Sequence, residues 1–163
     1  MIADDSSMAH GFFERGGWWV LAQSVLMIVV VSAGPLTTGV WADGNGWRRL
    51  LAWGLFGLGA GMGIAGVRVL RGNRTIFPRP QAGSALVTHG IYRWVRHPLY
   101  ASLMSLSAGW GLFWGSWPTL LAGLVLTVFL RMKAGHEERW LGERFPEYAV
   151  YAREVRRFIP GLW

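Results

Sequence analysis

Apolar residues along this chain fall into four blocks. Residues 18–33 are broken only by Gln23, Ser24 and Ser32, residues 50–70 carry one charge, Arg68, and residues 99–114 and 117–130 form a pair split by Gly115-Ser116. A helix that crosses a bilayer needs about 20 apolar residues. The blocks therefore predict an all-α integral membrane helical bundle of four transmembrane helices, with the last two as a tight hairpin. Pro118 suits the first turn of the fourth helix, where its missing N–H leaves no bond unmade. After residue 130 the pattern changes: Trp140, Leu141, Phe145, Tyr148 and Tyr151 are interleaved with charges over residues 133–157, which predicts an interfacial helical segment cut into two pieces by Pro146. Residues 71–98 contain Pro78, Pro80, Gly83 and Gly90 and read as a folded loop.

Charge placement orients this bundle. With four spans, both termini and the 71–98 loop share one side, which carries Arg15, Arg68, Arg71, Arg74, Arg79, Arg93, Arg96, Arg131, Lys133, Arg139, Arg144, Arg153, Arg156 and Arg157; the other side has Arg48 and Arg49. That asymmetry predicts cytoplasmic termini and a multi-pass protein of the inner, cytoplasmic membrane. The acidic residues Asp4, Asp5 and Glu14 stand before the first block, where a cleaved signal peptide has basic ones. The net charge of +7 is thereby absorbed by topology and by attraction to anionic membrane lipids, leaving no case for a nucleic-acid partner. The chain of 163 residues is read as a single domain; its 52% hydrophobic content, 15% charge and positive mean hydropathy agree with a membrane protein. Without cysteine there is neither a disulfide nor a thiolate site.

Three groups of residues could carry chemistry. The run Thr88 to Tyr100 places Tyr92, Arg96, His97 and Tyr100 where the chain enters the third helix. Taken alone it also fits an interfacial belt, although Pro98 fixes the direction of the imidazole before it. At the end of the fourth helix stand Arg131, Lys133, His136, Glu137 and Glu138, either a solvated salt-bridged turn or a pair of carboxylates for a cationic ligand. No metal is expected, because His136-Glu137 lacks a second histidine one turn on. The second helix contains Gly54, Gly57, Gly59, Gly61, Gly63 and Gly66, and its Gly57/Gly61 and Gly59/Gly63 pairs suit close packing of helices, within the chain or in a homo-oligomer.

Leu86-Val87-Thr88, Gly90-x-Tyr92, Arg96-His97-Pro98-x-Tyr100, Glu137-Glu138-x-x-Leu141, then Phe145, Tyr148, Tyr151, Val155, Arg157 and Pro160, resemble the superfamily of isoprenylcysteine carboxyl methyltransferases and phospholipid N-methyltransferases over about residues 76–162. The resemblance implies an S-adenosylmethionine-dependent methyltransferase acting on a lipidic or membrane-associated carboxylate, thiol or amine. Its cofactor pocket would be formed by the cytosolic loop 71–98 and the segment 131–163. Carried over by position, Leu86, Val87, Tyr92, His97, Pro98, Leu99 and Tyr100 would line that pocket, with Ser84 and Ala85 just before them and Glu137, with Glu138, closing it from the far side of the hairpin. The family's substrate-facing arginine is replaced by Lys133, with Arg131 nearby; these are the candidate catalytic cations. Ile91 stands where many relatives have proline, and Pro146 where many have glycine. An NADPH-dependent membrane reductase of related architecture and a non-catalytic lipid-binding membrane protein are the alternatives.

Overall fold

The computed structural model describes residues 16–39, 46–70 and 85–159. Within them lie five α-helices and no named strand: α1 (Gly17–Leu36), α2 (Trp47–Leu70), α3 (Pro98–Trp114), α4 (Trp117–Arg144) and α5 (Tyr148–Glu154), with a 3-10 turn at Gly90–Arg93 before α3. Three of them, α1, α2 and α4, are long and apolar enough to cross a membrane. The four-span reading is met to that extent only. With 17 residues, α3 is about 26 Å long against a hydrocarbon core of about 30 Å. Pro98 opens it, and Gly115, in the left-handed region at φ 62°, closes it.

The outer faces of the long helices carry Leu21, Val25 and Ile28 on α1, Leu50, Trp53 and Ile64 on α2, and Leu121, Leu124 and Val128 on α4, all exposed. So large an uncovered apolar surface belongs in lipid, where the backbone of each helix is satisfied internally. Inside, α3 lies between α2 on one side and α4 and α1 on the other. Gly59, Gly63 and Gly66 of α2 let it approach Leu106, Ser102 and Leu99 of α3, and Ser102 Oγ donates to Gly59 O at 2.6 Å. The second glycine row behaves differently: among the described residues a Cβ on Gly54, Gly57 or Gly61 would meet nothing within 4 Å. Of the two small-residue pairs, only Gly59/Gly63 packs inside the chain.

The α3–α4 hairpin is closed by polar capping. Gly115 N–H donates to Gly111 O and Leu112 O, Ser116 Oγ accepts from Thr119 N at 3.1 Å, and Pro118 sits in the first turn of α4. The Arg48 guanidinium lies where a Cβ on Gly115 would be. Gly115→Ala should therefore destabilise the hairpin by at least about 1–2 kcal/mol, the cost of a left-handed L-residue, and more if Arg48 is displaced. Thermal unfolding in detergent checks this; an unchanged midpoint refutes it.

Rather than ending near residue 130 and restarting, α4 continues unbroken to Arg144. No proline interrupts residues 131–144, so the helix carries its polar end out of the apolar zone as a rigid rod. It then stops as Pro146 requires: Phe145 is the C-cap, and α5 begins at Tyr148. Contacts of Trp19 with His136 and of Gln23 with Lys133, together with the cluster of Val30, Leu126 and Leu130, show α1 and α4 running antiparallel. The start of α1, the end of α2, the start of α3 and the polar end of α4 thus meet at one end of the bundle.

Candidate functional site

The site is assembled at that end by the segment between Ala85 and Tyr100, the last three turns of α4, and a C-terminal strap. The strap, residues 155–159, follows α5 and runs beside the pre-α3 loop. Arg96 N–H donates to Arg156 O at 2.8 Å and His97 N–H to Arg157 O at 2.9 Å, forming a short parallel bridge. Phe158 then inserts beside Ala101 and Ala134, pinning the strap to α3 and α4. Gly90, at φ 62° and against Val69, allows the 3-10 turn to lie on the end of α2.

The two adjacent glutamates occupy different environments. Glu138, with a side chain only 10% exposed, accepts from Arg96 Nε at 3.0 Å, from His97 Nε2 at 3.1 Å, and from Arg157 through Nε at 2.9 Å and Nη2 at 2.5 Å. An ionised carboxylate only accepts, so His97 Nε2 carries the hydrogen of that bond. Both oxygens are committed to holding the loop and strap together. Arg96 reinforces the same joint by donating to Ala152 O and Val155 O. Glu137, by contrast, is 25% exposed and accepts one hydrogen bond among the described residues, from Tyr100 Oη to Oε2 at 2.9 Å, with His97 Nδ1 at 3.7 Å. Its Oε1 is available to a cationic ligand.

Aromatic rings frame Glu137. Tyr100 stacks on His97 at 5.3 Å with the planes 4° apart. Tyr92 is buried, and Tyr151 Oη donates to its carbonyl at 2.6 Å. Burial, with the Glu137 carboxylate second, pushes the Tyr92 hydroxyl well above its ordinary range, so it stays a neutral donor. The Tyr151 hydroxyl is pushed up to about 12, first by burial, with Arg96 opposing and Glu138 adding to the rise. Tyr148 is 5% exposed and its hydroxyl has no hydrogen-bond partner among the described residues. Burial and then Glu138 drive that group upward too. An orphan buried donor is uncommon in a native structure.

Toward the membrane, Lys133 is buried at 3% exposure one turn before Glu137. Its Nζ donates to Gln23 Oε1 at 2.6 Å and lies 5.5 Å from the centre of the Tyr100 ring. Arg131 is exposed. Two residues from Lys133, it lies about 200° round the helix and faces away from the site.

Of the residues anticipated from sequence, Tyr92, His97, Tyr100, Lys133, Glu137 and Glu138 are brought together, while Pro98 is buried against Gly66 of α2. Leu99 instead packs on Gly66, Leu86 and Val87 are partly buried, Ala85 is exposed, and Ser84 lies outside the described residues. Gln23, Tyr148 and Arg157 were not anticipated as site residues. Gln23 had a signal, being a polar residue in an apolar span; Tyr148 and Arg157 had theirs as members of the C-terminal motif that carries the family resemblance.

Residues 47–148 match the phospholipid methyltransferase family. The chain belongs to that family. Among similar proteins, the nickel-cobalt-cadmium resistance protein NccN of Alcaligenes xylosoxydans xylosoxydans is 31% identical over 91% of this chain and 66% of its own length. The cobalt-zinc-cadmium resistance protein CzcN of Cupriavidus metallidurans is 30% identical over 62% of this chain and 49% of its own. The protein-S-isoprenylcysteine O-methyltransferase of Schizosaccharomyces pombe is 38% identical over 46% of this chain and 33% of its own. The chain thus spans between one third and about two thirds of the length of these relatives.

Proposed function

We propose that this protein is an S-adenosylmethionine-dependent methyltransferase of the cytoplasmic membrane whose acceptor is lipidic or membrane-associated. The observation that carries the reading is the contact of Tyr100 with Glu137, which joins the first turn of α3 to the polar end of α4 round a half-satisfied carboxylate, just where the loop before α3 ends. The family match supports the same reaction class. In this reading α3 spans with help from its flanking residues, and the basic end of the bundle and both termini face the cytoplasm.

The residues suit the cofactor. Glu137 Oε1 would accept from its ammonium group, and the Tyr92 ring offers a π face to a sulfonium, a contact worth about 0.5–2 kcal/mol. The orphan Tyr148 hydroxyl would donate to one of its oxygens. Pro98 and the half-buried Leu86 and Val87, with Ser84 and Ala85 before them, would shield the apolar portion. S-adenosylmethionine supplies an activated methyl group on a good leaving group. The chain's own task is alignment and exclusion of water. Glu138 acts indirectly, holding His97 and the strap in place, and Lys133 faces the acceptor. The names of two relatives refer to metal resistance. Among the described residues no three His, Cys, Asp or Glu side chains gather as a metal site.

Calorimetric titration of the detergent-solubilised protein with S-adenosylhomocysteine, and in parallel with NADPH, tests this. Binding of the first alone is expected, followed by labelled lipid when methyl-labelled cofactor and membrane extract are supplied. Binding of NADPH alone refutes the assignment. Tyr148→Phe separates ligand binding from folding: removing an unsatisfied buried hydroxyl should leave ligand-free stability equal or higher, while S-adenosylhomocysteine affinity falls by about three- to tenfold, roughly the value of one hydrogen bond. Equal affinity in the variant would remove Tyr148 from the site.

A further inference from the structure

Gln23 is the one polar side chain of α1 that reaches across to the site. It lies on α1 nearly two turns inside the start of the helix at Gly17, outside the matched segment 47–148. Its amide is oriented: Oε1 accepts from Lys133 Nζ at 2.6 Å, while Nε2 meets the weak thioether acceptor Met27 Sδ at 3.8 Å. The sequence offers Lys133 another partner. Glu137 is four residues on and on the same helical face, the spacing at which a lysine and a glutamate ordinarily pair. No such ion pair forms; the ammonium is turned to α1 and held above the Tyr100 ring. Of its three donors one is used by Gln23 and the ring takes none of the others as a hydrogen bond, so Lys133 keeps donor capacity, with no carboxylate of the described residues in contact with its ammonium.

We propose that Gln23 is a positioning residue of the acceptor site: its Oε1 holds the Lys133 ammonium over Tyr100 and away from Glu137, presenting a point cation to an anionic head group that enters beside α1. The inference deepens the methyltransferase reading and rests on it. The arrangement keeps the two groups out of direct contact, although Glu137 still acts on Lys133 through space. Glu137 stays available to a cation from the aqueous side, and Lys133 to an anion from the bilayer side. A neutral amine acceptor gains nothing from it.

The test uses the whole protein in detergent micelles with two probes, N-acetyl-S-farnesylcysteine, a lipid tail with a free carboxylate, and its methyl ester. The unaltered protein is expected to bind the acid about tenfold or more tightly than the ester, equivalent to about 1.4 kcal/mol. Gln23→Met keeps the side-chain volume and removes the acceptor oxygen; it should reduce that preference to about threefold or less. Gln23→Glu keeps an oxygen in place but neutralises Lys133, and should abolish the preference as well. Ester affinity and S-adenosylhomocysteine affinity should stay within about twofold in both. Dodecyl phosphate against dodecanol repeats the comparison for a phosphoryl head group, and a charge preference lost in the same variants supports the same role. The proposal is overturned if the unaltered protein shows no preference for either anion, if Gln23→Met retains it, or if all affinities fall together in both variants, as a purely structural role would have it. Failure of the unaltered protein to bind S-adenosylhomocysteine would strike the methyltransferase reading separately, since the acid–ester comparison needs no cofactor.

Discussion

Glu138→Ala is expected to release the C-terminal strap and, with it, the cofactor site. The carboxylate is the common acceptor of Arg96, His97 and Arg157, three side chains from two segments far apart in sequence. Removing it leaves the Arg96 guanidinium, itself 10% exposed, without its carboxylate, and breaking a buried charged pair by deleting one partner costs about 3–5 kcal/mol. What then holds the strap is the short bridge of Val95 and Arg156, the Arg96 bonds to Ala152 O and Val155 O, and the packing of Phe158. The loss should be local, because α1, α2 and the α3–α4 hairpin pack mainly on one another and meet the strap chiefly at Phe158. Hydrogen exchange would report it: the amides of Arg96 and His97, which donate to Arg156 O and Arg157 O, should lose protection while the span amides keep theirs. S-adenosylhomocysteine binding should disappear in the same variant. Retained protection at Arg96 and His97 would show that Glu138 is not the fastener. His97→Ala should act in the same direction to a smaller extent, since it removes one of the partners of Glu138.

Glu137→Gln should do the opposite, abolishing recognition without disturbing the fold. The amide keeps the shape of the side chain and an oxygen for the Tyr100 hydroxyl, which donates at 2.9 Å. It removes the negative charge that a cationic amino-acid end would pair with. A hydrogen bond to a charged group contributes about 1.5–3 kcal/mol, so affinity for S-adenosylhomocysteine should fall by about 10- to 100-fold. Ligand-free thermal unfolding should move little, because Glu137 is partly exposed and fastens nothing else. The contrast between the two neighbours is the diagnostic result. If Glu137→Gln binds as well as the unaltered protein, the carboxylate is not the cofactor's partner and the proposed site fails with it.

Much of this architecture is legible in the linear chain, for reasons that are local. Apolar blocks of near-membrane length predict helices because a helix alone satisfies the backbone in lipid within one segment, and the strands of a barrel are about half as long. Pro98, Gly115, Pro118 and Pro146 punctuate helices through their own dihedral limits, whatever surrounds them. The all-α character, the hairpin at Gly115-Ser116 and the break near Pro146 follow from such residues and appear in the structure. The motif around His97 and the Glu137-Glu138 pair also indicated the family to which the chain belongs.

Other features are decided by which helix lies next to which. Adjacent in sequence, Glu137 and Glu138 look alike; only the return of the strap beside residues 95–97 commits one to Arg96, His97 and Arg157 and leaves the other half free. Arg131 and Lys133 are both basic residues at the end of one helix, but the rotation of α4 buries the second and turns the first outward. Gly57/Gly61 and Gly59/Gly63 carry the same small-residue spacing, and the side on which α3 packs selects the latter. Gln23 reads as a blemish in a span until α1 is laid antiparallel to α4 and its amide meets Lys133. Sequence by itself determined the helices and their ends, because periodicity and backbone limits act within a few residues. The partner of each polar group was decided by tertiary structure, because a buried charge takes whichever counter-group the packing brings within about 3 Å.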